Sequence, residues 1–190
     1  MDVATLHRRT VEYWDRVAAG VAPAQWDAPT PCTDWSVRDL VNHVTGEELW
    51  TVPLLAGSTI QEVGDRFDGD VLGSDPQDTG HRAALAAADA VDRTDPKGPV
   101  HLSYGDEVVE EYANQLAADH LIHGWDLAVA IGADARLDPE LVAEVAAWFA
   151  GREEMYRASG AIGPHVDASG DPQTDLLAAF GRDARWAATV

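Results

Sequence analysis

The segment from about Asp106 to Ile131 constrains this chain's fold more than any other. Its apolar residues recur at steps of three and four, through Val109, Tyr112, Leu116, Leu127 and Ala130. That spacing lines one face of a helix, and Gly132 supplies a stop. A helix of this length with an apolar stripe needs other elements to cover it. The same stripe also carries Asp119 or His120, and then His123, within ADHLIHGWDLA, residues 118–128. A solvated face would lie opposite the core stripe, whereas these groups lie on it.

The covering elements read as helices too. A first helix is expected over about Asp2 to Ala19, with Leu6, Val11, Trp14 and Val17 inward. Ser36 opens a second, because SVRD places an acidic side chain three residues after a capping serine. It should run to Trp50 or Val52, where Pro53 discourages continuation. Ala56 to Pro76 reads as a loop with one short helix near Ile60 to Val63, followed by an alanine-rich helix from about Asp78 to Val91. VHLSY is a short extended piece, too little for a sheet. Asp138 and Pro139 start a helix reaching about Ala158, and a loop from Gly160 to Asp171 leads to a last helix, Gln173 to Phe180. The expectation is an all-α fold: four main helices in an up-and-down bundle, with short additional helices. The 190 residues fill one core and would cramp two, so one domain is expected.

Composition narrows the partners. Thirty-three acidic against 13 basic side chains give a net charge of −20, which repels phosphate backbones and anionic lipid surfaces. Neither nucleic acid nor membrane is an expected partner. No apolar run approaches the roughly 18 residues of a membrane helix, and the N-terminus lacks a signal-peptide core, so the expected location is the cytoplasm. Cys32 is the only cysteine, which excludes an internal disulfide and a cysteine-rich zinc site. A metal ion would have to be held by histidine and carboxylate.

The spacing offers such ligands. At about 100° per residue, Asp119 and His123 lie about 40° apart around the axis and about 6 Å apart along it. His120 and His123 lie about 60° apart on the other side, and either pair can converge on one ion. Asp126, one turn beyond His123, can orient its ring or shuttle a proton. On the second helix Leu40, His43, Glu47 and Trp50 follow at steps of three, four and three. If Leu40 and Trp50 face the core, so does His43, with Glu47 one turn away as a ligand, hydrogen-bond partner or proton carrier. Two imidazoles and one carboxylate suit a divalent transition metal with open positions. The competing reading is ordinary: a core histidine is usually satisfied by a hydrogen bond, and HxxH on a helix can be accidental. Arg82 and Arg182 can bind a carboxylate but are expected in ion pairs, and Cys32 is expected to be a packing residue.

PTPCTDWSVRDLVNHV (29–44) and DHLIHGWDLA (119–128) resemble the two signature segments of the mycothiol-dependent maleylpyruvate isomerase N-terminal family, within the wider DinB/YfiT-like group. The likeness extends through PLLAG, DRFDGDVLG, VHLSYGD, AAWFAGREEMYRASGAIGP and LLAAFGRD, nearly the whole chain. The resemblance implies a DinB-like four-helix bundle and a divalent metal, zinc or nickel. One histidine of the second helix and an i, i+4 pair of a later helix would hold it. Those ligands fall on His43, Asp119 and His123. Asp119 stands where relatives have Glu or His, so His120 is the alternative for the middle position. The resemblance also implies an external thiol, mycothiol, as cosubstrate, a small-molecule substrate, and a metal-dependent thiol transferase or isomerase. It further suggests a homodimer. The family's isomerase carries an extra C-terminal domain that this length cannot hold in full. The alternatives are a hydrolase using metal-bound water with Glu47 as base, and a non-catalytic binding module.

Overall fold

The computed structural model describes residues 1–164, 166–167 and 169–187. Its elements are α1 (Val3–Ala18), α2 (Val37–Leu55), α3 (Ile60–Val63), α4 (Pro76–Arg93), β1 (Pro99–Leu102), β2 (Gly105–Val108), α5 (Val109–Ile131), α6 (Pro139–Phe149), α7 (Glu153–Ser159) and α8 (Pro172–Ala179). The fold is helical, with one short hairpin among the described residues.

Side-chain caps set the helix starts. Asp2 accepts from the Thr5 amide to begin α1. Ser36 and Asp39 form a full capping box for α2, worth about 1 kcal/mol relative to alanine at the cap. Asp75, Asp138 and Asp171 cap α4, α6 and α8, each followed by a first-turn proline. Gly132 ends α5 in the left-handed region at φ 72°.

α1, α2, α4 and α5 make the bundle. α1 packs on α4 and α5, and α2 packs on the same two helices. The order around the bundle is therefore α1–α4–α2–α5, with the sequence neighbours α1 and α2 on one diagonal and α4 and α5 on the other. This differs from the expected up-and-down order of adjacent neighbours. The long α1–α2 and α4–α5 connections can cross the bundle, which short loops cannot do. The arrangement sets α2 beside α5.

α5 is the central helix. Leu121, Ile122, Trp125, Leu127 and Ala128 are all buried, so its apolar surface extends well beyond the single stripe read from the sequence. Gly124 lets α1 approach, since a Cβ there would stand 2.4 Å from Tyr13 Cε1. α6 covers α5 and α1, and α8 packs on α6.

Three boundaries depart from the sequence reading. α2 continues through Pro53 to Leu55. Pro53 removes one helical hydrogen bond, but Leu54 is buried against Val100, Val109, Tyr112 and Leu116, and that burial holds the last turn. The residues expected to begin the long helix, from Asp106, instead form β2, paired antiparallel with β1 from Pro99↔Val108 to Leu102↔Gly105. The expected helix from Pro139 to Ala158 is divided into α6 and α7. The chain turns where Phe149 stacks on Phe180, with ring centroids 4.0 Å apart.

Candidate metal centre

His43 projects from the middle of α2, and Asp119 and His123 from successive turns of α5. Asp119 Oδ1 lies 3.3 Å from His123 Nε2, and Asp119 Oδ2 lies 3.7 Å from His43 Nε2. The two imidazoles meet edge to face, 5.1 Å between centroids. One donor atom from each of the three residues falls within 4.8 Å of the others. Asp119 Oδ2 is buried and has no hydrogen-bond partner, because 3.7 Å exceeds hydrogen-bond reach. An orphaned carboxylate oxygen is costly as it stands, and with one imidazole nitrogen near each oxygen of Asp119 the group is a donor set that a divalent cation would complete. The residues fit a metal ion.

The electrostatics agree. Burial alone would raise the Asp119 carboxyl, but His123 beside it outweighs that and holds it well below the usual carboxylate range. Burial alone would lower His123. The Asp119 charge and hydrogen bonds to Asp119, Asp126 and Cys32 instead hold the imidazole well above its usual range.

The other ring nitrogen of His123 is occupied as well. Nδ1 donates to Asp126 Oδ2 at 3.0 Å, and Cys32 Sγ lies 3.8 Å from it. The Cys32 thiol donates to Asp126 Oδ2 at 3.3 Å. Arg182 approaches from the segment after α8, with Nη2 donating to Asp126 Oδ2 at 2.8 Å and to Cys32 Sγ at 3.3 Å. Asp126 is fully buried. Burial pushes its carboxyl up, yet the His123 hydrogen bond and the Arg182 charge leave it below its ordinary value. Cys32, Asp126 and His123 form a second set of potential metal donors.

His120 is placed elsewhere. Its ring turns to the interior between α1 and α2, where Nδ1 donates to the Leu116 carbonyl at 2.6 Å and Nε2 faces Glu48 Oε1 at 3.2 Å. His7 of α1 meets it edge to face at 5.4 Å. His120 is thus outside the His43–Asp119–His123 group, because one residue along a helix turns a side chain by about 100°. Glu48 and His7, both fully exposed to the core and not to water, were not singled out by sequence reasoning. The signal for Glu48 was its place in the buried run Leu40, Val44, Glu48. The run Leu40, His43, Glu47, Trp50 instead follows the flank of α2, where His43 and Trp50 remain half-buried. Glu47 borders an adjoining cavity with Trp50 and Tyr112. Burial and the nearby Asp119 push its carboxyl up. Arg82 pairs with Asp78 on the surface.

His43, Asp119 and His123 open onto a cleft of about 640 Å³. Trp35, Ile122, Trp148, Tyr156, Phe180 and Arg182 contribute its walls. Trp35 also lies against both imidazoles, 4.9 Å from His43 and 6.1 Å from His123.

The family described as the mycothiol maleylpyruvate isomerase N-terminal domain matches residues 7–128. The chain belongs to this family. The matched region of this isomerase-family chain contains His43, Asp119, His123, Asp126 and Cys32, while Arg182 lies beyond it. The chain is also similar to uncharacterized proteins of two Mycobacterium tuberculosis strains, CDC 1551 / Oshkosh and ATCC 25618 / H37Rv. Each is 32% identical over 178 residues, covering 92% of this chain and 87% of the relative. No solved structure matches it. No helix among the described residues is long and apolar enough to cross a membrane.

Proposed function

We propose that this protein binds one divalent metal ion, zinc or nickel, through His43, Asp119 and His123. In this reading it uses the ion to hold a low-molecular-weight thiol of the mycothiol type, acting as a thiol transferase or isomerase on a small molecule. The observation that carries the reading is the unpartnered Oδ2 of Asp119, on a carboxylate that has one imidazole beside each oxygen and lines the cleft. Family membership adds the thiol. A bound divalent ion lowers the pKa of a coordinated thiol and favours thiolate at neutral pH.

The chain's own residues supply the rest. Asp126 accepts a hydrogen bond from His123 Nδ1–H, which aims Nε2 at the cleft, where a metal ion would take the place of its proton. Asp126 is a positioning residue, because it is fully buried behind the ring. Trp35 packs beside both imidazoles and narrows the approach to them. Trp148, Tyr156 and Phe180 give an apolar wall for the substrate. Glu47, one turn from His43 on α2, is assigned as the proton carrier; burial and the nearby Asp119 push its carboxyl up. Such chemistry belongs in the cytoplasm, where thiols stay reduced.

The test is the visible spectrum of the cobalt-substituted protein. Adding mycothiol should shift the cobalt bands, and removing the metal should abolish thiol binding. Thiol binding that persists without metal would contradict the reading. Turnover of a substrate without any thiol, lost on Glu47→Ala, would replace it with hydrolysis.

A further inference from the structure

His123 stands between two donor sets. Its Nε2 faces Asp119 and His43, and its Nδ1 faces Asp126 and Cys32. Each set has three residues that metals accept as ligands, with donor atoms within 4.8 Å of one another. The second set includes a thiol, a stronger ligand for a soft or borderline metal than a carboxylate. Nothing in ligand chemistry alone sends a metal to the first set.

The difference is Arg182. Its guanidinium lies against the second set, with Nε 3.2 Å from both oxygens of Asp126, Nη2 2.8 Å from Asp126 Oδ2, and Nη2 3.3 Å from Cys32 Sγ. Nη1 donates to the Phe180 carbonyl at 3.0 Å, which ties the fork to the chain just before it. An arginine presents five N–H donors in a fixed plane and keeps its charge at any ordinary pH. A metal cation entering this set would have to displace a guanidinium bound to a fully buried carboxylate.

We propose that Arg182 is a positioning residue that acts as a built-in cation. It fills the Cys32–His123–Asp126 donor set and so commits His123 to bind metal through Nε2, beside His43 and Asp119. The inference rests on the proposed metal site for its consequence, though its own test does not depend on that site. It assigns a role in the centre to the part of the chain that follows the family-matched region, which ends at residue 128. It also keeps the Cys32 thiol away from the metal, leaving the open positions to an external ligand.

Cobalt titration of the purified protein tests this, read by stoichiometry and by thiolate-to-cobalt charge-transfer absorption in the near ultraviolet. The wild type should show no such band. Arg182→Gln, which keeps an amide donor for Asp126 while losing the charge, should gain the band, as should Arg182→Met. The band should vanish when Cys32→Ser is added, and Arg182→Lys should restore the wild-type spectrum. A merely structural arginine would not produce a Cys32-dependent band. The inference is overturned if the charge-neutral variants stay bandless, or if the wild type already shows the band. Should the wild type bind no cobalt, the His43–Asp119–His123 reading fails. The Arg182 inference would then still stand or fall on the band in Arg182→Gln.

Discussion

His123 shows most clearly how one residue is made into a ligand. Asp126 holds its Nδ1–H from behind and Asp119 faces its Nε2. In the metal-free protein the raised imidazole carries a proton at neutral pH, because Asp119 outweighs the effect of burial. A cation bound between Asp119 and His123 must therefore replace that proton. Metal affinity should rise with pH and keep rising well past about 6.5, the midpoint at which an ordinary histidine loses its proton. Zinc calorimetry at about pH 7.5 in buffers of different ionisation enthalpy should find about one proton released; no release would show that His123 is not the group displaced. The linkage has a second consequence. A raised imidazole stabilises the metal-free fold below the unfolded histidine pKa, and that contribution disappears as pH rises through the folded value.

At the scale of elements, the centre depends on how closely α1, α2 and α5 pack. Gly124 is one point of close α1–α5 packing, because a methyl group there would overlap the buried Tyr13 ring. Gly124→Ala should destabilise the protein by about 1–3 kcal/mol, the usual cost of overpacking a core. Urea unfolding measures this, and an unchanged midpoint would show that Tyr13 can move aside freely. The helices were legible in the sequence where their caps are local, as with Ser36 and Asp39 for α2 and Asp138–Pro139 for α6; the same Asp-Pro signal at Asp75 and Asp171 went unread, so α4 and α8 begin slightly before their expected starts. His43, Asp119 and His123 could be named as candidates from spacing and resemblance. Periodicity could not separate Asp119 from His120, because α5 is buried on most sides and both residues lie near the same apolar stripe. The partners decide their placement. Glu48 and His7 receive His120, while the cleft receives Asp119. The β1–β2 hairpin was hidden for a related reason. Its four-residue strands are too short to show alternation, and Val100 is held by contacts with Leu54, Val109 and Leu116 from other elements.

At the scale of the whole molecule, the charge and the diagonal bundle order matter most. A net charge of −20 makes the folded surface repel itself. Ion pairs such as Arg9 with Asp138 and Glu140 relieve this only locally. Added salt should raise the melting temperature from low ionic strength up to about 0.3 M, since screening weakens the repulsion more than it weakens exposed pairs. A melting temperature that falls over this range would mean the surface pairs dominate. The order α1–α4–α2–α5 places α2 beside α5 and so brings His43 to Asp119 and His123. That convergence is the centre of the account, and metal stoichiometry tests it most directly. Purified protein incubated with excess zinc or nickel, then desalted, should retain about one equivalent. His123→Ala should retain none, while a folded His120→Ala should keep the wild-type amount. A wild type that remains metal-free, or a His123→Ala variant that binds as the wild type does, would contradict the account.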